Sequence, residues 1–111
     1  MYSQDRRKYR RVGCRLPSAM RGIAGAGVEP AKTVVSDISE GGLRFSTQTP
    51  VPLTGEFYVS LAMASRTVFA KAKAVWMNRL ANLNCYEVGA CFLDILPDDR
   101  NFIRQYVASR L

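Results

Sequence analysis

Asp37 and Ser39 stand two residues apart in the run Asp37-Ile38-Ser39-Glu40-Gly41-Gly42, where a β-rich stretch meets a turn. If both are still extended, they leave the same face of the strand, because strand side chains alternate with a period of two. An aspartate carboxylate accepts two side-by-side N–H donors, and a serine hydroxyl both donates and accepts. Gly41 and Gly42 remove side-chain bulk, which permits a positive-φ turn and close approach of a ligand. This combination suits the Watson–Crick edge of guanine, where N1–H and N2–H lie together.

A second group is basic: Arg6-Arg7-Lys8-Tyr9-Arg10-Arg11, directly before the first strand-like segment. A guanidinium binds phosphate, or the O6/N7 edge of guanine, in bidentate fashion, and stacks on purine faces. The chain of 111 residues has a net charge of +7. Residues 1–21 hold seven positive side chains against one negative, and the remainder holds nine against eight. The charge therefore concentrates next to the first strand and points to an anionic partner.

Other chemistries fall away. With no histidine in the chain there is no Ser-His-Asp triad, Cys-His dyad or histidine metal ligand. Asp37 and Ser39 lack a general-base partner, so no catalytic residue is assigned and an enzyme is not expected. Cys14, Cys85 and Cys91 show no CxxC spacing, so neither a metal site nor a disulfide framework is expected. No apolar run approaches the roughly 20 residues of a membrane span. The basic start is not followed by an apolar stretch, so no secretory signal is expected. A cytoplasmic protein with reduced thiols is the expectation.

The elements that must position these groups are short and alternating. Val12, Cys14 and Leu16 alternate with Gly13 and Arg15, as in a half-buried strand. Residues 22–30 read as a hairpin loop, and 31–38 as a β-branched strand. After the Glu40-Gly41-Gly42 turn, Leu43, Phe45 and Thr47 alternate with polar residues; Phe57, Val59, Leu61 and Met63 do the same. Residues 65–77 put Val68, Ala70, Ala72, Ala74 and Trp76 on one face, and 78–84 read as a loop. Residues 85–95 form the last strand, with Gly89 as a bulge or close-approach point. Pro97 and the acidic Asp98-Asp99 open an amphipathic helix at about 97–110, with Phe102, Ile103, Tyr106 and Val107 as its apolar stripe. Six strands with regular turns suggest a small antiparallel barrel or sandwich.

Arg7 and Arg11 form an RxxxR pair, and Asp37, Ser39 and Gly42 a DxSxxG about 26 residues on. In this order the two motifs resemble a PilZ domain. The segments AVWMNRL and CYEVGACFLDI and the terminal helix are similar to the closing elements of that family. The resemblance implies a mainly β fold: a six-stranded antiparallel barrel of the split-barrel type with a C-terminal helix. It divides the chain into a basic arm over residues 1–11 and one barrel module over 12–111. It also implies a receptor for the bacterial second messenger cyclic di-GMP that needs no cofactor. Arg7 and Arg11 would wrap over the ligand, Asp37 and Ser39 would meet guanine from the barrel, and Gly41 and Gly42 would leave it room. Arg6 offers a second, overlapping register with Arg10; Val12, read as the first strand residue, favours Arg7 with Arg11. Arg10, Arg44 and Trp76 are secondary candidates.

Each motif alone has a plainer reading. A block of arginines is ordinarily a solvated or nucleic-acid-binding tail. An Asp-x-Ser before two glycines is ordinarily a strand-to-turn junction. It is their pairing that carries the resemblance. Two alternatives remain on the sequence: a protein-interaction module of the same fold that does not bind the nucleotide, and a small nucleic-acid-binding protein using the basic arm. The near-neutral body counts against the latter. A ligand-ordered arm implies a downstream protein partner. One cyclic di-GMP or an intercalated pair of them is left open, as is the oligomeric state.

Overall fold

The alternating segments form six strands and one helix in the computed structural model, which describes residues 9–21, 31–48, 51–81 and 85–111. Arg6, Arg7 and the hairpin loop expected at 22–30 lie outside the described residues. The strands are β1 (Arg11–Arg21), β2 (Ala31–Ser39), β3 (Gly42–Thr47), β4 (Glu56–Met63), β5 (Arg66–Leu80) and β6 (Cys85–Ile95), followed by α1 (Pro97–Arg110). All pairings are antiparallel, and the order β1-β2-β3-β6-β5-β4 closes on itself. The choice between barrel and sandwich is thus settled as a closed barrel, which leaves no sheet edge open.

The inward face follows the period of two. Phe57, Val59, Leu61 and Met63 of β4 are buried, as are Val68, Ala70, Ala72 and Ala74 of β5. The alanines of β5 leave volume for larger side chains from facing strands. Phe57 pairs across from Ala72 and meets Phe45 edge to face, ring centroids 5.8 Å apart, an arrangement aromatic quadrupoles favour.

Two segments differ from their sequence reading. β5 continues through Asn78, Arg79 and Leu80, which pair with Glu87, Tyr86 and Cys85, so the expected loop at 78–84 is shorter. Trp76 does not share the inward face of Ala70, Ala72 and Ala74. The register shifts between Ala74 and Trp76, leaving Val75 as an extra residue. A bulge of this kind reverses the phase of the following residues. Met77 now packs against the core opposite Val88, and Trp76 turns outward opposite Gly89.

α1 begins at Pro97, whose missing N–H is no loss in a first helical turn. Ile103 and Val107 are buried, and Phe102 and Tyr106 pack beside them. Near its start the buried Asp99 accepts hydrogen bonds from Arg66 (2.6 Å) and from the Phe69 backbone N–H (3.3 Å). Further along, Arg104 donates to Glu40 at 3.0 Å. The helix is therefore tied near its start to β5 and at its middle to the turn after β2.

Cys14 is half-buried beneath the β1–β2 ladder, with its Sγ 3.4 Å from the Val35 carbonyl oxygen. Burial, and after it the nearby Asp37 carboxylate, pushes its thiol from the ordinary 9.0 up to about 11. The native state therefore holds this proton more tightly than the unfolded chain. The stabilisation is whole below pH 9.0 and is lost as pH climbs through about 11. At pH 8 the shift should slow alkylation of Cys14 by iodoacetamide about 100-fold relative to an unperturbed thiol. Peptide mapping that finds Cys14 labelled as fast as a free cysteine would contradict this environment.

Candidate functional site

The ladder registers bring most of the described motif residues to one patch of the outer wall. Val12 and Ile38 point inward and are buried, so Arg11, Gly13, Asp37 and Ser39 face out. Leu43 and Phe45 are buried, which turns Arg44 out; Val88 and Ala90 do the same for Glu87, Gly89 and Cys91. Arg11, expected at the end of the arm, is the first residue of β1 and pairs across from Ser39. Asp37 pairs across from Gly13 on one side and Arg44 on the other. A register shift between Val35 and Asp37 lets Val35 and Ile38 both point inward and re-aims the carboxylate between them.

Asp37 is held asymmetrically. Arg44 Nε donates to its Oδ2 at 2.7 Å, while the other arm of the same guanidinium, through Nη1, pairs with Glu87 Oε2. Hydrogen bonding to Asp37, with Glu87 contributing less, raises the Arg44 pKa above its ordinary value. Asp37 Oδ1 is buried and has no hydrogen-bond partner among the described residues. Arg11 Nη1 lies 3.8 Å from it. A buried carboxylate oxygen without a donor is costly, and such oxygens are rare in folded proteins.

Ser39 and the two glycines shape the turn. Ser39 Oγ accepts from the Gly41 N–H at 3.1 Å, and its hydroxyl reaches the Gly42 carbonyl oxygen at 3.4 Å. Both hydrogen-bonding roles of the hydroxyl are thus spent within the turn. The missing Cβ at Gly42 faces β6, since one placed there would lie 2.1 Å from the Ala90 carbonyl oxygen. At Gly41 it would lie 2.6 Å from the Tyr9 ring. Gly42 therefore permits the close approach of two strands, and Gly41 permits Tyr9 to cover the turn.

Trp76, turned out by the bulge at Val75, lies against Gly89. A Cβ on Gly89 would fall 2.1 Å from the indole Nε1 and 2.2 Å from Cε2, which makes Gly89 the close-approach glycine the sequence suggested. Tyr9, Arg11, Ser39, Gly41, Gly42 and Trp76 border one cavity of about 160 Å³. Asp37 and Arg44 do not line that cavity; they lie beside it on the same wall. Arg10 is exposed and belongs to a separate hollow with Glu40 and Arg104, between the arm and α1.

Two contributors escaped the sequence reading. Tyr9 sits inside the arginine run, which draws attention to charge and away from the ring; its hydroxyl accepts from Arg100 of α1 at 3.4 Å. Glu87 is a single acid in an alternating strand, and only the β3–β6 register brings it to Arg44.

Fold and patch together define a small β-barrel domain with an arginine, a carboxylate and a glycine turn on one wall. The PilZ domain family model matches residues 5–109, and the chain belongs to that family. No curated protein matches the sequence. Among solved structures, the chain is similar to the Bacillus subtilis inhibitor of motility, MotI/DgrA, with a TM-score of 0.80 and 16% identity over 99% of this chain and 56% of that one. It is also similar to the PilZ domain of Escherichia coli YcgR with cyclic di-GMP, with a TM-score of 0.73 and 15% identity over 95% and 91% of the two chains. A third is the K. pneumonia MrkH–cyclic di-GMP complex, with a TM-score of 0.74 and 21% identity over 94% and 52%. At these identities the likeness is one of fold. The chain spans about half the length of MotI/DgrA and of MrkH.

Proposed function

We propose that this chain binds cyclic di-GMP on the outer wall formed by Arg11, Asp37, the Ser39–Gly42 turn and Trp76. The observation that carries the reading is the buried Oδ1 of Asp37, beside Arg11 and without a hydrogen-bond donor among the described residues. A guanine Watson–Crick edge supplies the missing donors. Arg11 takes a phosphate or the guanine O6/N7 edge, as guanidinium groups do elsewhere. Trp76 offers an aromatic face for stacking, and the cavity is large enough for about five waters at about 30 Å³ each, closer to a base than to a dinucleotide. Arg6 and Arg7, carried on an arm of residues 1–11 ahead of a barrel module at 12–111, add charge against the second phosphate. The fold similarity to complexes of cyclic di-GMP supports the same ligand.

The mechanism is binding without catalysis. Like charges within the arm repel one another, and a dianionic ligand relieves that repulsion. Tyr9 covers Gly41 and accepts from Arg100, and Glu40 accepts from Arg104. A ligand that reorders the arm therefore also alters contacts made by α1, presenting a changed surface to a downstream protein. Isothermal titration of the chain with cyclic di-GMP is expected to give saturable binding with a dissociation constant of tens of micromolar or below, roughly −6 kcal/mol or stronger. The same titration gives the stoichiometry. Absence of heat over that range, or binding of linear nucleic acid with a steep salt dependence that cyclic di-GMP does not compete, contradicts the reading.

A further inference from the structure

Glu87 stands where charge alone argues against it. Arg44 pairs across from Asp37 on β2 and from Gly89 on β6. Glu87 lies two residues before Gly89, so it meets Arg44 on the diagonal, a distance that long side chains span. One guanidinium therefore bridges three strands, β2, β3 and β6. Asp37, Arg44 and Glu87 together carry two negative charges and one positive. On a wall that binds a dianion, the second carboxylate opposes the ligand by its charge, so a compensating role for it is worth seeking.

The geometry of the trio supplies one. The side-on edge of a guanidinium, Nε with Nη2, matches both oxygens of one carboxylate, and the two-bond pair is the stronger one. Arg44 is close enough to Asp37 for it, with Nε 2.7 Å from Oδ2. The second bond is nevertheless not made, since Oδ1 is buried without a hydrogen-bond donor among the described residues. The other end of the guanidinium is held elsewhere: Nη1 pairs with Glu87 Oε2. Arg44 is thus stretched between two carboxylates and does not lie flush on one. The side chains of Asp37 and Glu87 are only 14% and 25% exposed, so water screens these bonds less than it would on an open surface.

We infer that Glu87 is a positioning residue for nucleotide recognition, acting through Arg44 to keep Asp37 Oδ1 free for the ligand. The inference deepens the nucleotide-binding reading and rests on it. With Glu87 in place, the guanidinium occupies one Asp37 oxygen and leaves the other for the donors of a guanine edge. Without it, the guanidinium swings until Nε and Nη2 both close on Asp37. The carboxylate is then satisfied within the barrel, and a ligand must break a charge-assisted hydrogen bond before it can bind. Glu87 does not border the cavity beside Trp76, and its role is carried entirely by the guanidinium it restrains.

Charge and positioning predict opposite signs, so calorimetry with cyclic di-GMP separates them. By charge alone, Glu87→Ala should tighten the binding of a dianion. By positioning it should weaken it, and the expected loss is about tenfold, the scale of one charge-assisted hydrogen bond. Glu87→Gln keeps an acceptor for Nη1 and should bind within about threefold of wild type. In an Arg44→Ala background no guanidinium is left to close on Asp37, so there Glu87→Ala should be neutral or should tighten binding. Glu87 is partly exposed, so the thermal midpoint should move by only a few degrees. A crystal structure of the unliganded Glu87→Ala chain should show Arg44 on both oxygens of Asp37. Glu87→Ala binding as well as or better than wild type overturns the inference. So does a loss that persists without Arg44, or an Oδ1 still without a donor in that crystal structure. Abolished binding in Arg44→Ala overturns it as well, because Arg44 would then be a ligand contact and not a restrained clamp. A wild-type chain with no affinity overturns the nucleotide-binding reading itself, and this inference with it.

Discussion

Asp37→Ala is expected to lower the affinity for cyclic di-GMP by about 100-fold while leaving the fold intact. One good bidentate contact to a base edge is worth about 1–3 kcal/mol, or roughly 5- to 150-fold. Asp37 lies at the upper end because its Oδ1 is already desolvated and without a donor among the described residues. Most of the cost of stripping water from that oxygen is met on folding, so a guanine edge recovers nearly the whole hydrogen-bond energy. The substitution also removes Arg44's partner at Oδ2, but Glu87 still holds the other end of that guanidinium. Both Arg44 and Glu87 are partly exposed, so the stability change should stay within about 1 kcal/mol. Asp37→Asn keeps the shape but offers an amide donor to a donor edge if the amide turns. It should fall between wild type and alanine. Arg11→Ala should weaken binding less, by about tenfold, because Arg11 is more exposed and its charge is shared with the arm. Calorimetry on these three variants, with a thermal melt of each, separates the outcomes. Binding by Asp37→Ala within about threefold of wild type would remove Asp37 from the guanine edge even with the fold unchanged.

The fold was legible in this sequence wherever one face of a strand is buried. Phe57, Val59, Leu61 and Met63 alternate without interruption, and β4 follows them to the end. The last strand and the helix have the extents their patterns suggest, because Gly, Pro and acidic residues punctuate them. What the pattern concealed is the bulge at Val75. Val75, Trp76 and Met77 are all apolar, so slipping the phase by one residue leaves no mark in the hydropathy. That slip decides whether Trp76 belongs to the core or to the candidate site. The motif residues were legible as a set but not in their division of labour. Ser39 and Gly42 read as ligand contacts; the structure adds a role for the hydroxyl within the turn and for the glycine in strand approach, which only the register reveals. Glu87 could be found only from the β3–β6 register, since nothing within 40 residues of Arg44 in sequence marks it as a partner.

That division of labour has a sharp consequence at Gly42. Gly42→Ala is expected to destabilise the chain by about 3 kcal/mol, which for a domain of this size is a fall in Tm of roughly 10–20 °C. The added Cβ would meet the Ala90 carbonyl oxygen at 2.1 Å, the Cys91 Cα at 3.0 Å and the Ala90 carbonyl carbon at 3.1 Å. All three are backbone atoms of the paired strand, so no rotamer change relieves the contact. β3 and β6 must separate where Gly42 pairs with Cys91 and Leu43 with Ala90, and in a closed barrel such a displacement passes to neighbouring strands. The Ser39 hydroxyl would also lose the geometry of its Gly42 acceptor, so ligand affinity should drop together with stability. Gly41→Ala provides the contrast. Its Cβ meets the Tyr9 ring at 2.6 Å and 3.0 Å and no backbone within 3.4 Å, and a side chain at the edge of the barrel can swing aside. Its thermal midpoint should move by only a few degrees, about 1 kcal/mol or less, while the displaced Tyr9 weakens the arm's hold on the turn. Differential scanning calorimetry on the two variants is the direct comparison. Equal, small shifts for both would mean that Gly42 serves the ligand after all and not the strand pairing, because a ligand-facing glycine gives no reason for the apo barrel to melt early.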